Sequence, residues 1–311
     1  MRSLDFFRKK ESVLAFSPQK LSGLVVPLIT PLNEDNSVDV FALKALTARL
    51  MNKGVKNFFV LNEFSEAKFL PLEEKLKVLE TVLNELNGKG CVLIGCFGST
   101  PDEIISNVNW AKKFSSICVV NVPSSALLRE LEFVDFFDSL FTQTNANIVL
   151  YNNPLLFKQS IPALWLDNII NWERLVGVID SSRNLDYLDE LGKYSQLTKL
   201  FEENEEVVFD ALKRGFSGLC CISSILFPSY YLQLVNEFDS LDFRKMVRLE
   251  ARINALMRLL PADKKIQAFK YALFLQHLIQ PFSFAQLAIL SEKEKQLIEE
   301  AFSLRRVSLK S

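Results

Sequence analysis

The chain has 311 residues and a mass of 35.5 kDa, with 49% apolar and 23% charged residues. This fits two average domains or one large α/β barrel and excludes general disorder. Lys+Arg 36 against Asp+Glu 37, a formal charge of −1, lacks the basic excess of a nucleic-acid binder. The single histidine, His277, leaves few routes to histidine catalysis or a multi-histidine metal site.

Residues 1–20 carry scattered charges and no continuous apolar run, so they read as an N-terminal extension and not as a signal peptide. Short β-branched or aromatic runs then alternate with stretches of helical period. A first strand is expected at 24–29, followed by a helix over 40–53 with Asp39 as N-cap and Gly54 as its stop. A strand at 57–61 leads to a helix over 72–87, whose leucines 72, 76, 79, 83 and 86 share a face. The strand at 91–97 precedes a helix opened by Thr100-Pro101-Asp102-Glu103, a capping box with proline in the first turn. Strands at 116–122, 147–152, 175–180, 197–202 and 218–224 follow. Helices fit 131–144, 161–172, 185–194, 205–214 and 227–239. After residue 240 the strands stop, and 243–260, 264–279 and 285–304 read as three helices.

Eight βα units with continuous apolar strands predict an α/β fold, a closed (β/α)8 barrel. An open doubly wound sheet would need a phosphate fingerprint, and neither GxGxxG nor GxxxxGK[ST] occurs. The expected division is an extension at 1–20, a barrel at 21–240 and a C-terminal helical appendage at 241–311, packed on the barrel. Cys91, Cys96, Cys118, Cys220 and Cys221 sit in or beside apolar strand runs without a CxxC, which suits free thiols in a reducing cytoplasm. No run of about 18 apolar residues suggests a membrane span.

These pieces, in their order, resemble the pyruvate-dependent class I aldolases of the dihydrodipicolinate synthase and N-acetylneuraminate lyase family, over roughly residues 21–300. Thr30-Pro31 match the Thr-Pro after strand 1, and Leu70-Pro71-Leu72-Glu73-Glu74 match the Leu-x-x-Glu-Glu after strand 2. Tyr151-Asn152-Asn153-Pro154 match Tyr-Asn-x-Pro, and Gly215 and Gly218 match the glycines leading into strand 8. Gly177-Val178-Ile179-Asp180-Ser181-Ser182 stand where the family has Gly-x-Lys-Asp-Ser-Ser.

The resemblance implies a Schiff-base lysine at the end of strand 6, and this chain has Ile179 there. Isoleucine offers no nucleophile at any pH. The family's Gly-Thr-Thr-Gly-Glu loop, which binds the pyruvate carboxylate, reads Asn62-Glu63-Phe64-Ser65-Glu66. Phe64 lacks the proton-relaying hydroxyl. An ionised Glu63 repels a carboxylate ligand by about 1 kcal/mol at ~4 Å even in water. Ser124 follows strand 4, where the family often places aromatic residues. Leu156 replaces the arginine of members that make dihydrodipicolinate.

Tyr151 is the reactive group that remains, and strand-end packing accounts for it and for Asn152 without chemistry. Lys199, at the start of strand 7, lies about 13 Å deeper than the mouth position 203 and is not placed to replace the lost amine. Glu202, Glu203, Glu205 and Glu206 read as a solvated first helical turn rather than a metal site. Asp180 reads as structural, and His277 as a packed or interfacial histidine of an apolar helix.

The expected site therefore comprises Tyr151 as a residual catalytic group, Ile179 at the former lysine position, and Glu63, Phe64, Ser65, Asn152, Ser181 and Glu203 as pocket residues. No metal and no cofactor is expected. The leading expectation is a family member without Schiff-base aldolase activity, acting as a cytoplasmic binding or assembly protein. The competing one is an enzyme acting on a sugar acid or keto acid by another route through Tyr151. Expected partners are further copies of the chain, as dimer or tetramer, an active paralogue and a small-molecule ligand, with no nucleic acid and no membrane.

Overall fold

A computed structural model describes residues 21–115, 117–124, 129–238, 243–284 and 287–306. The expected extension at 1–20 lies outside them. Eight parallel strands close a barrel in chain order. They are β1 (Gly23–Pro27), β2 (Asn57–Val60), β3 (Cys91–Gly95), β4 (Ile117–Val120), β5 (Asn147–Asn152), β6 (Leu175–Asp180), β7 (Lys199–Glu202) and β8 (Gly218–Leu219). The barrel helices are α1 (Val40–Asn52), α2 (Leu72–Leu86), α3 (Pro101–Ala111), α4 (Glu130–Thr144), the short α5 (Pro154–Phe157), α6 (Leu185–Gly192) and α7 (Val208–Lys213). Then come α8 (Pro228–Glu237), α9 (Phe243–Leu259), α10 (Lys265–Leu275) and α11 (Glu292–Arg306). This is the expected (β/α)8 barrel with C-terminal helices.

The chain groups into two compact units. One runs up to Val25 and takes Lys56–Phe59 and Leu86–Cys221, hence β3 to β8 and α3 to α7. The other takes Val26–Val55, Val60–Glu85 and the chain from Ile222, hence α1, nearly all of α2, and α8 to α11.

Local chemistry explains most boundaries. The Asp39 carboxylate caps α1 by accepting from the Ala42 amide at 2.9 Å, and Gly54 ends that helix at φ +101°. Thr100 Oγ accepts from the Glu103 amide at 3.3 Å. The Glu103 carboxylate reaches back to the Ser99 amide at 2.8 Å, one residue beyond an ordinary capping box. In the first unit, Phe59, Leu93, Ile117, Val119, Val149, Ile179 and Phe201 converge in the barrel core. Their strands are buried on both faces, which is why they read as unbroken apolar runs.

Four expectations need correction. Residues 161–172 do not form an α-helix; they hold a 3₁₀ turn, Ala163–Asn168, entered from Pro162. β8 ends at Leu219, and its apolar continuation folds into a second 3₁₀ turn, Ile222–Ile225, where the Ser223 and Tyr231 hydroxyls share a hydrogen bond of 2.5 Å. α10 stops at Leu275. His277 follows it, exposed and at φ +59°, with its amide donating to the Phe274 carbonyl and that of Leu278 to Leu273. This is a left-handed helix stop, so His277 is not packed in the helix. α11 begins at Glu292, not near 285, because Ser291 and Glu294 form a reciprocal capping box.

β1 and β8 close the barrel through two glycines in register, Gly23 and Gly218. A Cβ on Gly218 would lie 1.9 Å from the Gly23 carbonyl oxygen. Backbone atoms cannot move aside as a flexible side chain can. Gly218→Ala is therefore expected to cost at least about 1–3 kcal/mol in urea unfolding. A variant as stable as the parent would show that the closure tolerates a side chain.

Candidate functional site

In barrels of this kind the chemistry sits at the C-terminal ends of the strands. The register of β5, β6 and β7 places Tyr151 opposite Ile179 and Ile179 opposite Phe201. All three belong to the barrel core. The Tyr151 ring is 1% exposed. It stacks on Phe97 with centroids 5.5 Å apart and meets Phe59 and Phe157 edge-on at 6.4 and 5.9 Å. Each such pair contributes about 0.5–1.5 kcal/mol beyond its buried area. The Tyr151 hydroxyl accepts from Asn153 Nδ2 at 2.7 Å. Ile179 is 0% exposed, so hydrocarbon and aromatic rings surround this position.

The next residue along each strand points the other way. Asn152, Asp180 and Glu202 form that row and are all buried. Asn152 Nδ2 donates to Asp180 Oδ1 at 2.6 Å, and Ser182 donates to Asp180 Oδ2 from its hydroxyl at 2.7 Å and its amide at 3.2 Å. Burial pushes the Asp180 carboxyl up to about 6, against the pull of these donors. Glu202 accepts from the Asn204 amide at 2.7 Å through Oε1, while its Oε2 has no hydrogen-bond partner among the described residues. Burial and the neighbouring Asp180 charge raise the Glu202 carboxyl well above its ordinary value. Adjacent strands lie about 4.8 Å apart, so two buried charges side by side would repel. Asp180, with three donors, is the one placed to carry charge.

The glutamate run after β7 thus departs from expectation. Glu202, Glu203 and Glu205 are buried, not solvated, and Glu206 pairs with Arg183. Asn204 caps a 3₁₀ turn, Glu205–Val207, which folds the run inward instead of opening an exposed helix. The Glu203 amide donates to the Asp180 carbonyl at 2.8 Å, and the Ser181 amide to the Asn152 carbonyl at 2.9 Å. Asn152, Ser181 and Glu203 therefore lie together. Lys199 opens β7 opposite Gly177, at the far end from the Ile179 row. Leu156 is half exposed on α5 and Ser124 is exposed. No three metal-ligating side chains converge among the described residues.

The loop after β2 belongs to the second unit. Asn62 caps the 3₁₀ turn Glu63–Ser65: its Oδ1 accepts from the Phe64 amide at 2.8 Å and its Nδ2 donates to the Leu28 carbonyl at 3.0 Å. The Ser65 hydroxyl is held by the Asn62 carbonyl at 2.6 Å. The Phe64 ring lies under the Lys265 ammonium, 5.3 Å from its centroid. Glu63, Phe64 and Ser65 therefore sit together in one ordered turn.

Sequence reasoning missed the strut beside that turn. Glu66, at φ +58°, forms a wholly buried ion pair with Lys270 of α10. Glu66 Oε2 also accepts from the Phe284 amide at 2.9 Å, and Lys270 Nζ donates to the Phe282 carbonyl at 2.7 Å. Burial draws the Lys270 amine below its ordinary value, while Glu66 opposes the shift. The available signal was a lysine inside the apolar run Ala268-Phe269-Lys270-Tyr271-Ala272.

The dihydrodipicolinate synthetase family model matches residues 20–303. The chain belongs to that family. An uncharacterised DapA-like lyase of Pyrococcus furiosus is 27% identical over 233 residues, 74% of this chain and 78% of the relative. A monomeric dihydrodipicolinate synthase variant superposes with a TM-score of 0.87 at 19% identity, over 93% of this chain and 98% of that one. N-acetylneuraminate lyase from Fusobacterium nucleatum gives 0.81 at 16% identity, over 91% and 98%. The last two show the shared fold. No described helix of this family member is long and apolar enough to cross a membrane.

Two predictions follow from the buried charges. Glu202 holds its proton more tightly folded than unfolded, where its value is 4.5. Its contribution to stability is complete below that pH and is lost as pH rises through the raised folded value. Glu202→Gln is expected to flatten part of this fall in unfolding free energy measured against pH; an unchanged slope would exclude Glu202 as its source. Breaking the strut by Glu66→Gln or Lys270→Met is expected to cost roughly 3–5 kcal/mol each, with the double variant losing less than the sum. Additive losses in urea unfolding would show that the two side chains do not act as a pair.

Proposed function

We propose that this chain is a dihydrodipicolinate synthetase family member without pyruvate Schiff-base chemistry, working as a cytoplasmic binding or assembly protein. The observation that carries the reading is Ile179, wholly buried between Tyr151 and Phe201 in the strand row. That row offers no amine to attack a keto carbon. Phe64 and the engaged Ser65 hydroxyl support the reading from the loop after β2, where the resemblance implies carboxylate-binding hydroxyls. The division into a barrel at 21–240 and a helical appendage at 241–311 belongs to the same proposal, as does assembly with an active paralogue.

A second reading rests on one observation. Tyr151 keeps a phenol in the strand row, opposite Ile179. Tyr151 and the carboxylates of the mouth would then serve as acid and base on a sugar acid or keto acid.

Incubation with pyruvate and borohydride followed by intact-mass measurement tests the first reading. The expected result is the unmodified mass. A stoichiometric adduct on any lysine would overturn it. Thermal shift with a panel of sugar acids and keto acids tests the second, which fails if none raises the melting temperature.

A further inference from the structure

α9 carries a charge arrangement that its own fold does not repay. Met246, Ile253, Leu256 and Leu260 turn inward and are buried. The opposite side exposes Arg244 and Arg248, one turn apart, with Arg252 continuing the row. Beside them runs an exposed apolar row of Val247, Ala251, Ala255 and Leu259. Like charges at i,i+4 repel, and an arginine in the first turn opposes the helix dipole. Arg244 and Arg248 have no ion-pair partner among the described residues.

α4 carries the complementary row. Leu131, Asp135 and Asp138 lie on one exposed stripe at i, i+4 and i+7. Leu131 is 67% exposed. Asp135 and Asp138 likewise have no ion-pair partner among the described residues. Leu164 is also exposed on the 3₁₀ turn that Asn168 Nδ2 ties to Glu130 at 2.6 Å. Both faces combine two unpaired charges with neighbouring apolar side chains, and their signs are opposite.

We propose that α9 of one copy docks on α4 of a second copy, with Arg244 and Arg248 against Asp135 and Asp138. Leu131 then covers the alanine row, where the small side chains of Ala251 and Ala255 admit close approach. Arginine suits this role because its planar fork grips carboxylates in two-point fashion. A narrow apolar row with alanines at its centre fits a helix better than a membrane, which calls for bulky inserting side chains.

Sedimentation of the full chain tests the pairing. The expected result is self-association that weakens as salt shortens the screening length. R244E/R248E and D135R/D138R are each expected to weaken it by about tenfold or more and to leave a smaller species. All four residues are exposed, so the circular dichroism and melting temperature of each variant should match the parent's. An equimolar mixture of the two variants restores both contacts, so assembly should return. A parent that stays monomeric at every concentration, variants that assemble like the parent, or a mixture that fails to recover would each overturn the proposal.

Discussion

The close approach of Gly23 and Gly218 is the constraint on which the barrel depends. A parallel barrel closes only when the first and last strands meet at backbone distance in a fixed register. That register then propagates through every neighbouring strand. Because side chains alternate with a period of two, a one-residue slip would exchange the two faces of a strand. The row Tyr151, Ile179 and Phe201 and the row Asn152, Asp180 and Glu202 are therefore set by the same condition that closes the sheet.

The two rows divide the chemistry of the strand ends. The inner one is aromatic and aliphatic, with a single hydroxyl occupied by Asn153. The other holds two carboxyls and an amide, out of water. Titratable groups are present, but one residue after the row of Tyr151, Ile179 and Phe201.

Legibility followed the physics of each segment. β5 and β6 have the expected bounds because their apolar runs end in polar turn residues. β8 was overread, since Cys220-Cys221-Ile222 continue its apolar run, while the turn is held by the Ser223 carbonyl, which accepts from the Leu226 and Phe227 amides, and by the Ser223–Tyr231 contact. The 161–172 segment carries apolar spacing close to a helix, yet Pro162 starts a tighter turn that still buries Leu166 and Ile169. At the site, the isoleucine at position 179 stood out from the motif around it. The burial of Glu202 did not, because a run of glutamates reads as solvated until the strand end and the Asn204 turn fold it inward. The Glu66–Lys270 pair was hidden for another reason: its partners are far apart in sequence, and neither carries a local signal for the other.

That pair also shapes how the second unit breathes. Releasing the segment at Phe282 and Phe284 strips Lys270 of its carbonyl acceptor and Glu66 of an amide donor, leaving both charges buried with fewer partners. Releasing the turn at Glu66 does the same from the other side. Neither opening is cheap alone, so the two segments belong to one cooperative unit. Their amides should exchange with solvent together, in a single event, although they lie at opposite ends of the chain.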